Sequence, residues 1–260
     1  MTMTDLKDGD HERLVSAQFS PQAAAYVASA VHAKGADLDA LAQMMAGRGA
    51  ARVLDLGCGG GHVSFTVAPH VAQVLAYDLS DRMLEAVAGE AQRRGLSNIE
   101  TAWGVAEELP FPDATFDFVV SRFSAHHWRD LSAGLAQARR VLKPNGRAIF
   151  MDVVAPPSDV LDTFLQTIEL LRDPSHARDF AVSEWVERAQ AAGLACQSIT
   201  EGRLRMEFSS WVARINTPDL HVAAIRSLEE LATRDVRAHF EIEADGSFTF
   251  DTATLLFAPV

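Results

Sequence analysis

The feature that most restricts this chain is an apolar run that breaks into glycine, Val53-Leu54-Asp55-Leu56-Gly57-Cys58-Gly59-Gly60-Gly61. The residues before Gly57 read as a buried strand. A turn this dense in glycine lets the backbone reach positive φ and approach a neighbouring group without a Cβ clash. In an open α/β sheet such a turn lies at the carboxyl end of a central strand, where ligands bind. The next apolar run, Val71 to Tyr77, ends at Asp78, about 20 residues on, where a carboxylate can accept both hydroxyls of a ribose.

Strand and helix then alternate. Ser80 is placed to cap a helix whose apolar face runs Met83, Leu84, Val87, Ala88 and Ala91; Arg93 and Arg94 suit its last turn, and Gly95 stops it. Strands are expected over Asn98–Trp103, Phe116–Ser121 and Arg147–Val154, with a helix over Leu131–Leu142. This rhythm calls for a parallel sheet covered on both faces. Upstream, residues 1–20 are polar, and Pro21 to Met45 suggests two short helices around Gly35.

Past Pro156-Pro157 the pattern changes. Ser158 stands ahead of a helix carrying Leu161, Phe164, Leu165, Ile168 and Leu171. A second helix is expected over Glu184–Gly193, a strand near Ala195–Thr200, and helix over residues 208–238. Asp245-Gly246 between β-rich flanks is a hairpin signal. Without linker or repeat, residues 1–260 are expected to form a single domain: 1–50 as helical cover, 51–154 as the ligand-binding core, 155–260 as helical additions and final strands.

Composition narrows the function. Twenty-three basic residues stand against 35 acidic ones, a formal charge of −12, which repels a phosphate backbone and argues against nucleic acid as partner. Cys58 and Cys196 are too few and too far apart for a disulfide framework or a zinc site, so no metal is expected. The polar N-terminus and the lack of any run near the roughly 18 apolar residues of a membrane span point to a cytoplasmic protein. Oligomeric state is not legible.

A glycine turn followed by an acid also fits a dinucleotide such as NAD. Two residues separate the readings. The last glycine of a Gly-x-Gly-x-x-Gly fingerprint is replaced by His62, and Asp55 puts a carboxylate beside the turn, which suits a ligand carrying an ammonium and a sulfonium better than a pyrophosphate. The glycine segment resembles the first motif of class I S-adenosylmethionine-dependent methyltransferases. Three later blocks agree with that family in order: Tyr77-Asp78-Leu79-Ser80-Asp81-Arg82-Met83-Leu84; Gly104 to Pro112 followed by Phe116-Asp117; and Arg140-Val141-Leu142-Lys143-Pro144-Asn145-Gly146. Within it, the chain is similar to the ubiquinone/menaquinone biosynthesis C-methyltransferase-like group (methyltransferase type 11).

The resemblance implies a doubly wound, mostly parallel seven-stranded sheet, with N-terminal helices and a helical addition near the C-terminus. It implies S-adenosyl-L-methionine as cofactor, S-adenosyl-L-homocysteine as product and a small-molecule acceptor methylated on O, N or C. The cofactor-binding residues it implies are Asp55, Gly57, Cys58, Gly59, Gly61, Asp78, Leu79, Met83, Val105, Ala106, Glu107, Ser121 and Arg122. Val105 departs from the group, which has an aspartate there for the adenine amino group, so adenine recognition leans on the backbone around Ala106 or on Glu107. That departure keeps open a protein that binds the cofactor without turnover; an NAD-type oxidoreductase is the other alternative.

The segment after the fourth strand, Ser121-Arg122-Phe123-Ser124-Ala125-His126-His127-Trp128, is the expected acceptor side. His126 or His127 is a candidate base near neutral pH, and Phe123 and Tyr26 are candidate substrate contacts. Phe19, His32, Met206, Phe208 and Trp211 are weaker candidates, each with ordinary packing as its alternative.

Overall fold

Strand β1 (Arg52–Leu56) lies in the middle of a seven-stranded sheet, and its side chains from Val53 on are buried. The structure is a computed structural model that describes residues 10–23, Val27 and residues 35–260. Tyr26 and His32 lie outside the described residues, as does most of the first of the two helices expected around Gly35.

The other strands are β2 (Gln73–Asp78), β3 (Ile99–Trp103), β4 (Phe116–Arg122), β5 (Leu142–Val153), β6 (Leu194–Met206) and β7 (Phe248–Pro259). Their spatial order is β3-β2-β1-β4-β5-β7-β6. The pairs among β1 to β5 are parallel, and β7 runs antiparallel between β5 and β6. The chain therefore reverses direction across the sheet between β1 and β4, and the crevice above their carboxyl ends is where such sheets bind ligands.

Helices cover both faces. In chain order they are α1 (Asp10–Phe19), α2 (Ala36–Met45), α3 (His62–Val67), α4 (Asp81–Arg94), α5 (Leu131–Val141), α6 (Asp159–Arg172), α7 (Val182–Ala191), α8 (Phe208–Ala213), α9 (Asp219–Leu231) and α10 (Arg234–His239). One face of the sheet packs Phe150 and Phe257 against Trp128, Leu135 and Trp185. The opposite face packs Val53, Val120 and Ile149 against Leu38, Leu41, Met45 and Val67. A further apolar cluster, around Trp211, Phe240 and Phe248, joins α6, α8, α9 and α10 to β7.

The caps of α4 follow the sequence. Ser80 Oγ accepts from Met83 N at 3.3 Å, and Gly95 ends the helix in the left-handed conformation at φ 71°. Ser158 precedes α6 without a side-chain cap bond. The hairpin expected at Asp245-Gly246 does not form. Residues 243–247 do turn, with Glu243 N donating to Ser247 O at 2.8 Å, but the preceding segment is α10, and β7 pairs with β5 and β6. β6 is more than twice the length expected because β7 holds it along its whole course.

Candidate active site

The glycine turn is bound to the end of β2. Gly57 N and Cys58 N both donate to Tyr77 O, at 2.8 and 3.0 Å. At Gly57, with φ 72°, a Cβ would fall 1.9 Å from Ser124 Oγ; at Gly61, with φ 78°, it would fall 2.9 Å from Val87 and meet the Phe65 ring. The first glycine thus lets the turn touch the loop after β4, and the second lets α3 pack on α4. Asp78 faces the turn. Its Oδ2 accepts from Gly59 N at 2.8 Å and its Oδ1 from Ser80 N at 2.9 Å. Burial raises its pKa, opposed by these backbone donors, and each oxygen retains a free acceptor site.

A cavity of about 820 Å³ opens in front of Asp78. Gly57, Gly59, Leu79 and Met83 line it from the glycine turn and the head of α4, and Val105, Ala106 and Glu107 line it from the loop after β3. Phe123 and His127 close one side, and His11, Glu12, Val15 and Phe19 of α1 lie over it. Tyr77 Oη donates toward Val105 O and Glu108 O at 3.5 and 3.4 Å, which fixes the Val105 loop. Glu107 Oε1 accepts from Asp130 N at 3.2 Å, so this acid is partly engaged in holding the loop before α5.

Asp55 is 1% exposed and stands outside this cavity. Its Oδ2 accepts from Ser64 N and Oγ at 2.9 and 2.6 Å, and burial, the dominant influence, lifts its carboxyl to about 7. It ties β1 to α3, and with Cys58 and Arg122 it lines a smaller space on the other side of the glycine turn. Arg122, expected at the cofactor, is ion-paired with Asp37 of α2, and its guanidinium lies 4.6 Å from the Phe123 ring centre. Ser121 is buried, with an unpartnered Oγ, and it and Gly61 line none of these spaces. Cys58 is buried and its thiol is pushed up by burial, so it stays protonated.

Phe123 is the residue on which these spaces converge. It lines all three and adopts φ 49°, a left-handed conformation that costs a non-glycine residue about 1–3 kcal/mol. Its N–H donates to Met151 O at 2.8 Å, which anchors the strained turn to β5.

The histidine pair sits just beyond. His126 Nδ1 donates to Asp152 Oδ1 at 2.7 Å. Burial alone would depress this imidazole, but the Asp152 carboxylate, with Asp179 and Glu169 behind it, holds its pKa at about 10. His127 Nδ1 donates to Ser175 O at 3.2 Å, and burial and the adjacent His126 cation push its pKa down to about 3. Near neutral pH His126 therefore has no lone pair to offer and His127 is a feeble base. These opposed shifts favour neither ring of the expected base pair as a proton acceptor near pH 7.

A second cavity, of about 590 Å³, adjoins the first and shares Phe19, Phe123 and His127 with it. Leu204 and Met206 of β6, Trp211 of α8 and Phe250 of β7 form its apolar wall; Glu169 and Arg172 of α6 enter it from one side. The sequence offered Met206 and Trp211 as weaker site candidates, with packing as the alternative, and left the segment Arg172-Asp173-Pro174-Ser175-His176 unread. The signal available was a dense polar run ending an apolar helix.

Residues 54–150 match a family profile described as a methyltransferase domain. The chain is 48% identical over 191 residues to protein YafE of Escherichia coli (strain K12), covering 74% of this chain and 92% of that one. It is 38% identical over 200 residues to methyltransferase YcgJ of Bacillus subtilis (strain 168), covering 77% and 79%. The crystal structure of YcgJ superposes with a TM-score of 0.82 at 33% identity, over 85% of this chain and 97% of that one. The chain belongs to this methyltransferase family.

Proposed function

We propose that this enzyme transfers a methyl group from S-adenosyl-L-methionine to a small organic acceptor. The observation that carries the reading is the shared wall: the space in front of Asp78 and the chamber beyond it meet at Phe19, Phe123 and His127. The residues fit the cofactor. Asp78 has acceptor sites left for two ribose hydroxyls, and Leu79, Met83, Val105 and Ala106 offer an apolar slot for a purine. Gly57 and Gly59 allow close approach along the turn. When bound, S-adenosylmethionine supplies a sulfonium methyl group and leaves as the neutral thioether S-adenosylhomocysteine.

The protein's part is then placement and exclusion of water rather than activation of a leaving group. Phe19 and Phe123 screen the junction, and His127, its Nδ1–H fixed on Ser175 O, orients groups there without exchanging its proton near pH 7. His126, anchored on Asp152, holds the loop in position. A small acceptor rather than a nucleic acid accords with the charge of −12. Among the described residues, no helix is long and apolar enough to cross a membrane. Titration calorimetry tests the reading: S-adenosylmethionine and S-adenosylhomocysteine are expected to bind and NAD is not. Heat from NAD with none from either sulfur nucleoside overturns it.

A further inference from the structure

The acceptor chamber contains a cation with unused hydrogen-bond donors. Arg172, at the end of α6, is 8% exposed and lines the chamber. Its Nε donates to Trp211 O at 3.1 Å, and its guanidinium carbon lies 5.0 Å from the Trp211 ring centre. Those two contacts fix the plane of the group. Among the described residues its terminal nitrogens make no hydrogen bond or ion pair, yet neither is sealed away from the cavity.

None of the carboxylates nearby makes a hydrogen bond or ion pair with Arg172 among the described residues, although Asp173 Oδ2 is buried and unpartnered. Asp152 serves His126 and Ala125 N. Asp173 Oδ1 accepts from both N and Oγ of Ser175. Glu169, one turn earlier on α6, makes no ion pair with Arg172 among the described residues, and burial raises its carboxyl toward the uncharged form. A guanidinium taken out of water with most of its donors unused is costly unless an anion completes it, and a carboxylate matches its planar fork. Phe123, Leu204, Met206, Trp211 and Phe250 give the wall an apolar and aromatic part, and His126, His127 and Arg214 are its other polar members. Arg214 and His126 add positive charge to the wall and Glu169 adds an acid, and the planar fork of Arg172 is matched by one carboxylate.

We propose that the methyl acceptor is an organic carboxylic acid with an apolar or aromatic body, its carboxylate seated on Arg172 in the chamber walled by Trp211 and Phe250. The assignment of this chamber to the acceptor rests on the methyl-transfer reading above; the anion site itself does not. The carboxylate is the anchor, and the anchored body is directed to the junction at Phe19, Phe123 and His127.

The test uses the full chain and three acids, phenylacetate, 4-phenylbutyrate and octanoate, each against its primary amide. Affinities are measured by ligand-observed NMR titration with and without S-adenosylhomocysteine, whose own binding is measured separately by calorimetry. At least one acid is expected to bind ten times or more tightly than its amide. Arg172→Gln should remove that margin and Arg172→Lys should keep part of it. Acid and amide binding alike, no acid binding at all, or an unchanged margin in Arg172→Gln overturns the proposal. The acid–amide comparison in the parent needs no variant, so a misfolded Arg172→Gln does not spare it. A margin without S-adenosylhomocysteine binding keeps the anion site and removes the methyl-donor reading; binding without a margin does the reverse.

Discussion

Asp78 faces the glycine turn from the end of β2 and Cys58 lies within that turn, and the two make a direct comparison of two kinds of residue. The Asp78 carboxylate is held by two backbone N–H groups with acceptor capacity to spare, whereas the Cys58 thiol is buried, protonated and engaged only weakly with Gly59 O. Loss of charge-assisted hydrogen bonds to two hydroxyls costs about 1.5–3 kcal/mol, roughly 10- to 150-fold in affinity. Asp78→Ala is therefore expected to weaken S-adenosylhomocysteine binding by that factor in calorimetry, and Cys58→Ala to leave it near the parental value. Equal affinities in the two variants would mean that the ribose lies elsewhere. Val105 invites the opposite experiment. It lines the same cavity from the loop that Tyr77 fixes, so a carboxylate there can reach a purine amino group. Val105→Asp should tighten S-adenosylhomocysteine binding by one hydrogen bond, about 0.5–1.5 kcal/mol; a protein that folds normally but binds less tightly would place the purine away from residue 105.

The elements divide by how far away their reasons lie. β1, β4 and β5 were legible because parallel strands buried on both faces read as apolar runs, β2 and the exposed edge strand β3 from their alternation with helix, and the turn residues Gly57, Ser80 and Gly95 act on their immediate neighbours. β6 was half-read. It is a sheet edge, much of it exposed, and Glu201, Gly202 and Arg203 look like a turn until β7 is laid beside them. Its charges then make sense: Arg203 pairs with Asp251 and Glu241, and Arg205 with Glu243, which leaves a charged edge where another chain would otherwise add. The second cavity was illegible for the same reason, since His126, Arg172, Met206 and Phe250 are far apart in the chain and come together only in the fold. β7 holds this half of the molecule, with Leu255 fully buried between the flanking strands. Leu255→Ala is expected to cost about 2–5 kcal/mol in urea unfolding. A loss below 1 kcal/mol would show that β7 can relax without disturbing its neighbours.

At the scale of the whole molecule, the buried histidine links the site to the pH dependence of folding. His126 has its pKa lifted to about 10 by Asp152, with Asp179 and Glu169 adding to the pull, while His127 and His176 beside it are pushed down to about 3 and 2. In the unfolded chain an imidazole titrates near 6.5. Below that pH both states hold the His126 proton and its stabilisation is fully present. Between about 6.5 and 10 only the folded state keeps the proton, so stability falls as pH rises, by about 1.4 kcal/mol per unit in the middle of the window. Asp55 and Glu229, each lifted to about 7, also lower stability with rising pH, but their effect is confined below 7. Cys58, whose thiol burial pushes up, adds a slope of the same sign above about 8.5, so it is the difference between parent and variant that reports His126. His126→Gln should be less stable than the parent at pH 6.5, should fall less steeply between pH 7 and 10, and should converge on the parent as pH approaches 10. Urea unfolding midpoints at half-unit intervals measure both curves. Two curves that run parallel from pH 7 to 10 would mean that His126 is not held as a cation in the folded protein, and that its bond to Asp152 is one between a neutral ring and a carboxylate.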